Sequence, residues 1–265
     1  MKKNILVRGL TALIAIAAAA VAASAQTAAA RPDYELLLAR TVSRAQSDLG
    51  LDETKLAYDA ITDDGAVTSP EKIAAGLKSC LPAIDAKAAV QLPPEITANV
   101  IRSGPKYERL VSATSRLLNA TGLRGKVHPV LYDSAVPASG FSYPNAIFFS
   151  TRALASLSDD EVEAISAQAL AHLVGRELFK SAVDRRDDRA LRVIELFCDA
   201  AGASLLASMG KEPGGVAAAI QSELRVYEKS YGNAAPPERY PDIRQRAKLG
   251  KMLAKKLGEM LAKSS

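Results

Sequence analysis

Two long helical segments in the second half of the sequence place the strongest constraint on its fold. Ser158 and Glu161 form a capping-box pattern, and the apolar residues that follow predict a helix that continues to about Val183. After a short charged turn, the stretch RALRVIELFCDAAGASLLASMG predicts a second long helix that ends at Gly210. Both helices are rich in alanine and leucine, so we expect them to lie side by side in the core.

The few polar residues on these two helices are spaced one turn apart. Gln168 and His172 fall on the first helix, and Glu195 and Asp199 fall on the second. In an HExxH helix, two histidines at this spacing bind one zinc ion, and the intervening glutamate activates the metal-bound water. This chain reads QALAH at the same spacing, with Ala169 in the glutamate position. The pattern is therefore that of a zinc peptidase helix with two of its three functional letters replaced.

Strand-like segments precede the first of these helices. KVHPVLYDS and AIFFST are apolar and predict strands, whereas we expect GFSYPN to interrupt the chain at Gly140 and Pro144. His128 lies in the first strand beside a proline, where an isolated histidine is more often structural than a metal ligand.

The N-terminal part of the chain has a helical pattern from Asp33 to about Leu77, with a first helix that ends at Gly50. We expect a helical extension over residues 26–105, followed by the main domain over residues 106–265. The first helix carries apolar residues at loosely helical spacing: Leu37, Leu38, Ala45 and Leu49.

Together these segments resemble the HtpX and CAAX prenyl protease type of zinc metallopeptidase, a gluzincin family. The resemblance covers about residues 107 to 250 and is carried by SGFSYPNAIFFSTRALASLSDDEVEAI, QALAH, ELFCDAAGASLLASMG and ERYPDIRQR. It implies an α+β, mainly helical fold in which a small antiparallel sheet packs on the active-site helices.

The resemblance also implies a role for each matching position. Gln168 stands where the family has its first ligand histidine, and Ala169 stands where it has the general base. His172 and Glu195 stand at the second and third ligand positions, and Asp199 stands where an aspartate orients a ligand histidine.

Tyr240 replaces the histidine of a His-Pro element that is followed by arginine, with Pro241 retained. This position implies a contact with the substrate or with an oxyanion.

These replacements predict a catalytically inactive protein without a bound cofactor. Losing a general base alone typically lowers a rate about 10²- to 10⁴-fold, and a hydrolytic zinc site needs three protein ligands. We expect His172 and Glu195 to form a hydrogen-bonded remnant. The alternative is an active zinc metalloendopeptidase with an atypical site, in which His172 and Glu195 bind zinc and Cys198 substitutes as a thiolate ligand.

A plainer structural interpretation of the two acidic residues also remains open. Glu195 and Asp199 could pair with nearby arginines such as Arg189 or Arg192. Cys198 could likewise be a buried thiol, or could form a disulfide with Cys80 in an oxidising compartment.

The N-terminus predicts export from the cytoplasm. Lys2, Lys3 and Arg8 flank an apolar run over residues 10–23, and the small residues that end at Ala25 predict signal-peptide cleavage there. The alternative, an uncleaved membrane anchor, is disfavoured because the run is shorter than the ~20 apolar residues that span a bilayer. We therefore expect a periplasmic or secreted protein.

The charge pattern bears on the class of partner. Three of the basic residues behind the formal net charge of +5 lie in the predicted signal peptide, and no aromatic residues alternate with a basic stripe, so a nucleic-acid role is disfavoured. We expect a polypeptide partner or client that pairs with an edge strand, supplied by NAIFFST or its neighbour.

The tail from Asp242 onward predicts a basic amphipathic helix with leucines on one side: Leu249, Leu253, Leu257 and Leu261. Packing of this helix against its own domain is the commoner outcome. Contact with an anionic membrane surface is the alternative.

Overall fold

The computed structural model describes residues 33–62, 92, 94–142, 145–231 and 240–264. The predicted signal peptide, Cys80 and Pro144 lie outside these residues. The helices of the described chain are α1 (Asp33–Ser47), α2 (Glu53–Thr62), α3 (Pro94–Thr97), α4 (Pro105–Ala120), α5 (Thr151–Ser156), α6 (Asp159–Val174), α7 (Arg176–Asp184), α8 (Asp188–Ser208), α9 (Gly215–Tyr231) and α10 (Ile243–Ser264). The strands are β1 (Val100–Ile101), β2 (His128–Tyr132), β3 (Ser139–Ser142) and β4 (Ala146–Ser150). The fold is mainly helical α+β, as expected.

Helix α6 begins at the predicted capping box but ends earlier than predicted. The Ser158 hydroxyl accepts a hydrogen bond from the amide of Glu161, and the Glu161 carboxylate accepts one from the amide of Ser158. The prediction of one helix to about Val183 was wrong, because the chain breaks at Gly175 and continues as α7. A Cβ at Gly175 would lie 2.7 Å from the side chain of Leu38 on α1, so the break lies where α1 packs.

Helix α8 is the centre of the fold. Its residues from 190 to 207 are buried, apart from the half-buried Arg192. The helix ends at Ser208, before Gly210 with φ of 72°, which confirms the predicted end. A Cβ at Gly202 would lie 2.9 Å from the backbone nitrogen of Gln168, so glycine lets α8 touch the backbone of α6.

Helices α1 and α2 pack into the same hydrophobic core as α6 and α8. The ring of Tyr34 meets the ring of Phe197 edge to face, with centroids 5.3 Å apart, and Glu53 pairs with Arg192 at 2.8 Å. Leu49 is 77% exposed, contrary to its predicted place on the apolar side of the helix, because α1 ends before it. The division near residue 105 stays a prediction.

The sheet is mixed, and the expectation of an antiparallel sheet was wrong. The strand order is β1-β2-β4-β3, in which β2 and β4 are parallel and both outer pairs are antiparallel. Gly140 does not interrupt the chain but lies within β3, which forms a hairpin with β4. After β2 the chain leaves one strand position vacant and forms β3 at the edge of the described sheet. It then reverses direction and fills that position with β4, so β4 runs in the same direction as β2.

This topology assigns the sheet edge to one of the two candidate segments. Strand β4, the AIFFS part of NAIFFST, is central and pairs on both sides, so it is not an edge. Its neighbour β3 lies at the edge of the described sheet and packs on α6.

Helix α10 packs against its own domain, as the commoner outcome predicted. Leu249, Leu253 and Leu257 are buried among α2, α8 and α9. Among the described residues, no helix has both the length and the apolar character needed to cross a bilayer.

Candidate functional site

The structure brings the sequence-predicted residues of α6 and α8 together. The amide nitrogen of Gln168 lies 2.8 Å from Nε2 of His172 and 3.3 Å from Oε2 of Glu195. The same Glu195 oxygen lies 3.4 Å from Nε2 of His172. His172, Glu195 and Asp199 are buried, and Gln168 is half-buried. The polar groups of both helices therefore point to one place between them.

A third helix adds a cation to this group. The Arg246 guanidinium on α10 donates from Nη2 to Oε2 of Glu195 at 2.8 Å. Its Nη1 lies 2.9 Å and 3.1 Å from the two carboxylate oxygens of Asp199. The Arg246 side chain is only 7% exposed, so this ion pair is excluded from bulk water. Three helices thus meet at five polar side chains, which we call the buried polar cluster: Gln168, His172, Glu195, Asp199 and Arg246.

The first turn of α10 holds Arg246 in position. The Asp242 carboxylate accepts a hydrogen bond from the backbone amide of Gln245, and the Gln245 side chain accepts one from the amide of Asp242. These reciprocal bonds cap the helix in the manner of a capping box. The backbone amide of Arg246 bonds to the carbonyl of Asp242, so the guanidinium extends from an ordered first turn.

The interpretation that Glu195 and Asp199 pair with Arg189 or Arg192 was wrong. Arg189 donates to backbone carbonyls between α1 and α2, including that of Leu49, and Arg192 pairs with Glu53. Both arginines lie in the first turn of α8, where their side chains hold α1 and α2 to the core.

Burial and neighbouring charges together shift the pKa values of the two carboxyl groups in opposite directions. Burial by itself raises the pKa of Glu195, but His172 and Arg246 lower it to about 2. Burial raises the pKa of Asp199, Arg246 opposes the shift and Glu195 adds to it, for a value of about 7. Glu195 is therefore ionised at neutral pH, and Asp199 titrates there.

His172 is subject to two opposing influences. Burial lowers its pKa, whereas negative charge on Cys198 and Glu195 raises the pKa to about 10. The contribution of Cys198 requires a thiolate, yet burial raises the pKa of that thiol, which is protonated at neutral pH. Glu195 is therefore the neighbour that raises the pKa of His172 under these conditions.

The contact between Gln168 and His172 depends on the protonation state of the imidazole. An amide nitrogen only donates hydrogen bonds, so its 2.8 Å approach to Nε2 of His172 requires a neutral imidazole with a lone pair there. Once His172 is protonated, the Gln168 amide must turn over so that its oxygen accepts from Nε2.

Cys198 is a free and fully buried thiol in this structure. Its thiol interacts electrostatically with His172 and Glu195, which places it beside the buried polar cluster. Cys80, the partner in the disulfide alternative, lies outside the described residues. Burial raises the pKa of the Cys198 thiol, so the group is protonated at neutral pH in this structure.

The buried polar cluster does not fit a zinc ion. The part of the chain that the structure describes contains no group of three or more His, Cys, Asp or Glu side chains arranged to hold a metal. The Glu195 oxygen that faces His172 already bonds to the Arg246 guanidinium. A guanidinium cation at this position repels a second cation and occupies the oxygen that would bind it.

The remaining predicted positions lie around the cluster. Ala169, which the resemblance places at the general-base position, is fully buried in the hydrophobic core. Tyr240 is 39% exposed on the chain that leads into α10, and its predicted contact with substrate stays a prediction.

Sequence reasoning did not assign a role to Arg246. The arginine lies in the segment ERYPDIRQR, whose resemblance to a His-Pro element followed by arginine was the only signal that could have indicated it.

The fold and the site define a mainly helical α+β protein with a buried ion cluster between three helices. No protein-family model matches the chain, and no curated protein matches it. Membership of the zinc metallopeptidase family stays a prediction from the sequence.

Proposed function

We propose that this protein is a periplasmic or secreted, metallopeptidase-like protein that has lost catalysis and binds polypeptides, as a chaperone-like module does. The observation that supports the loss of catalysis is the Arg246 guanidinium, which lies 2.8 Å from Glu195, the residue that the resemblance assigns to the third ligand position.

The chemistry of the buried polar cluster supports the loss of catalysis. Hydrolysis by a zinc peptidase needs an activated water and a general base. The base position is Ala169, which has no titratable group, and the ligand position at Gln168 carries a neutral amide. The imidazole and carboxylate that remain, His172 and Glu195, are turned toward neighbouring side chains of the chain itself.

The position of strand β3 supports polypeptide binding. It lies at the edge of the described sheet and packs on α6, the helix that carries Gln168 and His172. An extended segment can add to such an edge through backbone hydrogen bonds, and this pairing requires no metal. A client strand would then lie beside the helix that contains QALAH.

A charged substitution on β3 tests this proposal. The binding of a labelled, permanently unfolded polypeptide, reduced and carboxymethylated casein, is measured by fluorescence anisotropy for the unaltered protein, for Ser139→Lys and for Ser112→Lys. Ser139 lies on β3, whereas Ser112 is an exposed residue of α4 that receives the same added charge. Lysine on an edge strand opposes strand addition, so we expect Ser139→Lys alone to weaken binding.

Two results would count against the proposal. Failure of the unaltered protein to bind the polypeptide would contradict polypeptide binding. An equal effect of both lysine substitutions would show that β3 is not the binding edge. Cleavage of the polypeptide that stops on addition of a chelator would favour the alternative function, an active zinc metalloendopeptidase with an atypical site.

A further inference from the structure

We infer that the buried polar cluster is a guanidinium-binding site that this chain fills with its own Arg246. This cation stabilises the packing of the surrounding helices, as a bound metal ion would. The inference goes beyond polypeptide binding, because it concerns what holds α6, α8 and α10 together.

The geometry of the acceptors matches a guanidinium group. Glu195 and Asp199 lie on successive turns of α8 and present three oxygens within 3.1 Å of the two terminal nitrogens of Arg246. A planar guanidinium directs several N–H groups in one plane, so one side chain donates to both carboxylates. A lysine ammonium is a compact point charge and does not match this spread of acceptors as well.

The charge requirement is equally specific. Two carboxylates on one face of a buried helix repel each other, and desolvation adds to the cost of their ionisation. A metal ion would compensate them but would require lone pairs from every surrounding ligand. A guanidinium compensates them without such lone pairs, and Arg246 donates to both carboxylates.

The cation is part of the fold and not a loosely placed surface group. Arg246 lies in the capped first turn of α10, and Leu249, one turn farther along, is fully buried. The guanidinium is therefore positioned by packing of the whole helix and links α10 to α8. Through the same Glu195 oxygen it also joins the group that includes Gln168 and His172 on α6.

Chemical rescue tests the inference. Arg246→Ala removes the cation, and we expect the melting temperature to fall by about 10 °C, as for a buried ion pair that has lost one partner. Guanidinium chloride at a low millimolar concentration should restore about 3 °C or more once it exceeds its Kd tenfold. Sodium chloride and urea at equal concentration serve as solute controls, and these concentrations are too low to denature the protein.

Leu249→Ala is the matched control variant. It also removes a buried side chain from α10, but it leaves the Arg246 guanidinium in its place. We expect a loss of melting temperature that guanidinium does not restore. Rescue of both variants alike, or of neither, contradicts the inference. If Arg246→Ala does not fold alone, its refolding must be recovered by guanidinium and not by sodium chloride.

Arg246→Lys and a zinc titration complete the test. Arg246→Lys should lose less stability than Arg246→Ala and should gain nothing from guanidinium, because the ammonium keeps the charge and fills the space. The unaltered protein, purified without a histidine tag, should retain no zinc through dialysis. Stoichiometric zinc that survives dialysis would overturn the inference. None of these measurements depends on a polypeptide ligand, so this inference and the proposed function can fail separately.

Discussion

The close approach of α6 and α8 at Gly202 predicts that a substitution which normally stabilises a helix destabilises the protein at this position. Replacing glycine with alanine in the interior of a helix normally stabilises it by about 1 kcal/mol, because alanine has the higher helix propensity. At Gly202 the added Cβ would lie 2.9 Å from the nitrogen and 3.1 Å from the Cα of Gln168. Both atoms belong to the backbone of α6, so no side-chain rotation can relieve the contact.

The magnitude follows from these two opposing effects. Overpacking of a core by one methyl group costs typically about 1–3 kcal/mol when the neighbours cannot move. After the gain in helix propensity is subtracted, we expect Gly202→Ala to lower the free energy of unfolding by up to about 2 kcal/mol. The shift of α6 away from α8 should also lengthen the contacts between Gln168 and Glu195.

Gly258 provides the matched control for this substitution. It lies in α10, it is exposed, and a Cβ built on it would meet nothing within 4 Å. Gly258→Ala should therefore raise the free energy of unfolding by about 1 kcal/mol. Urea denaturation followed by circular dichroism at 222 nm measures both variants, and an unchanged m-value shows that the transition stays comparable. If Gly202→Ala stabilises the protein as much as Gly258→Ala does, the two helices are not in backbone contact at the buried polar cluster.

Three further predictions concern the charges of the cluster. Arg246→Met should lower the free energy of unfolding by about 3–5 kcal/mol at neutral pH, measured by urea denaturation, because Glu195 and Asp199 lose their shared cation; a loss that does not shrink as the carboxylates are protonated in acid would contradict this cause. Because the pKa of Asp199 is raised to about 7, its contribution to stability is present below about pH 4 and is lost as the pH rises toward 7. The stability of the unaltered protein relative to Asp199→Asn should therefore fall across this range, and a constant difference in urea titrations would exclude the raised pKa. Gln168→His should gain no zinc affinity by calorimetry while Arg246 is present but should gain it together with Arg246→Ala, and equal affinities in the two backgrounds would show that the guanidinium does not exclude the metal.

The helices could be predicted from local signals, because those signals act within a few residues. The Ser158 and Glu161 side chains both bond to the first turn of α6, and the Gly210 conformation ends the segment after α8. The break at Gly175 could not be predicted in the same way. It lies where Leu38 packs, and Leu38 is far away in the sequence, so only the folded chain brings the two together.

The sheet shows a similar limit. Apolar and alternating residues correctly indicated β2 and β4, whose side chains divide between two apolar clusters on opposite faces. The pattern of apolar residues within a segment does not indicate which strands are neighbours in the sheet. The parallel pairing of β2 with β4 arises because the chain forms β3 at the edge before it returns to form β4. Gly140 favoured a break by its residue type, yet the hairpin with β4 holds it in an extended strand.

The residues of the site that lie on α6 and α8 could be predicted from the sequence. The spacing of Gln168 with His172 and of Glu195 with Asp199 follows from the helical repeat, and the structure places the first three within 3.4 Å of one another. Arg246 is one of 34 lysines and arginines in the sequence, and it lies 51 residues beyond Glu195. Apart from the resemblance of the segment ERYPDIRQR, nothing in the sequence distinguishes it from the others.

Glu195 and Asp199 are charged residues on the buried helix α8, and such residues need an explanation. Buried charges give a core helix no evident stability, because apolar side chains of similar volume often make the folded protein equally stable or more stable. Glu195 and Asp199 nevertheless lie on α8 with an imidazole and an amide facing them from α6. Placing them there requires a compensating cation, which Arg246 supplies from a third helix. We propose that this arrangement descends from a zinc site in which a guanidinium has taken over the charge of the metal. We therefore expect the Gln168→His and Arg246→Ala double variant to retain zinc through dialysis, and neither the unaltered protein nor Gln168→His alone to do so.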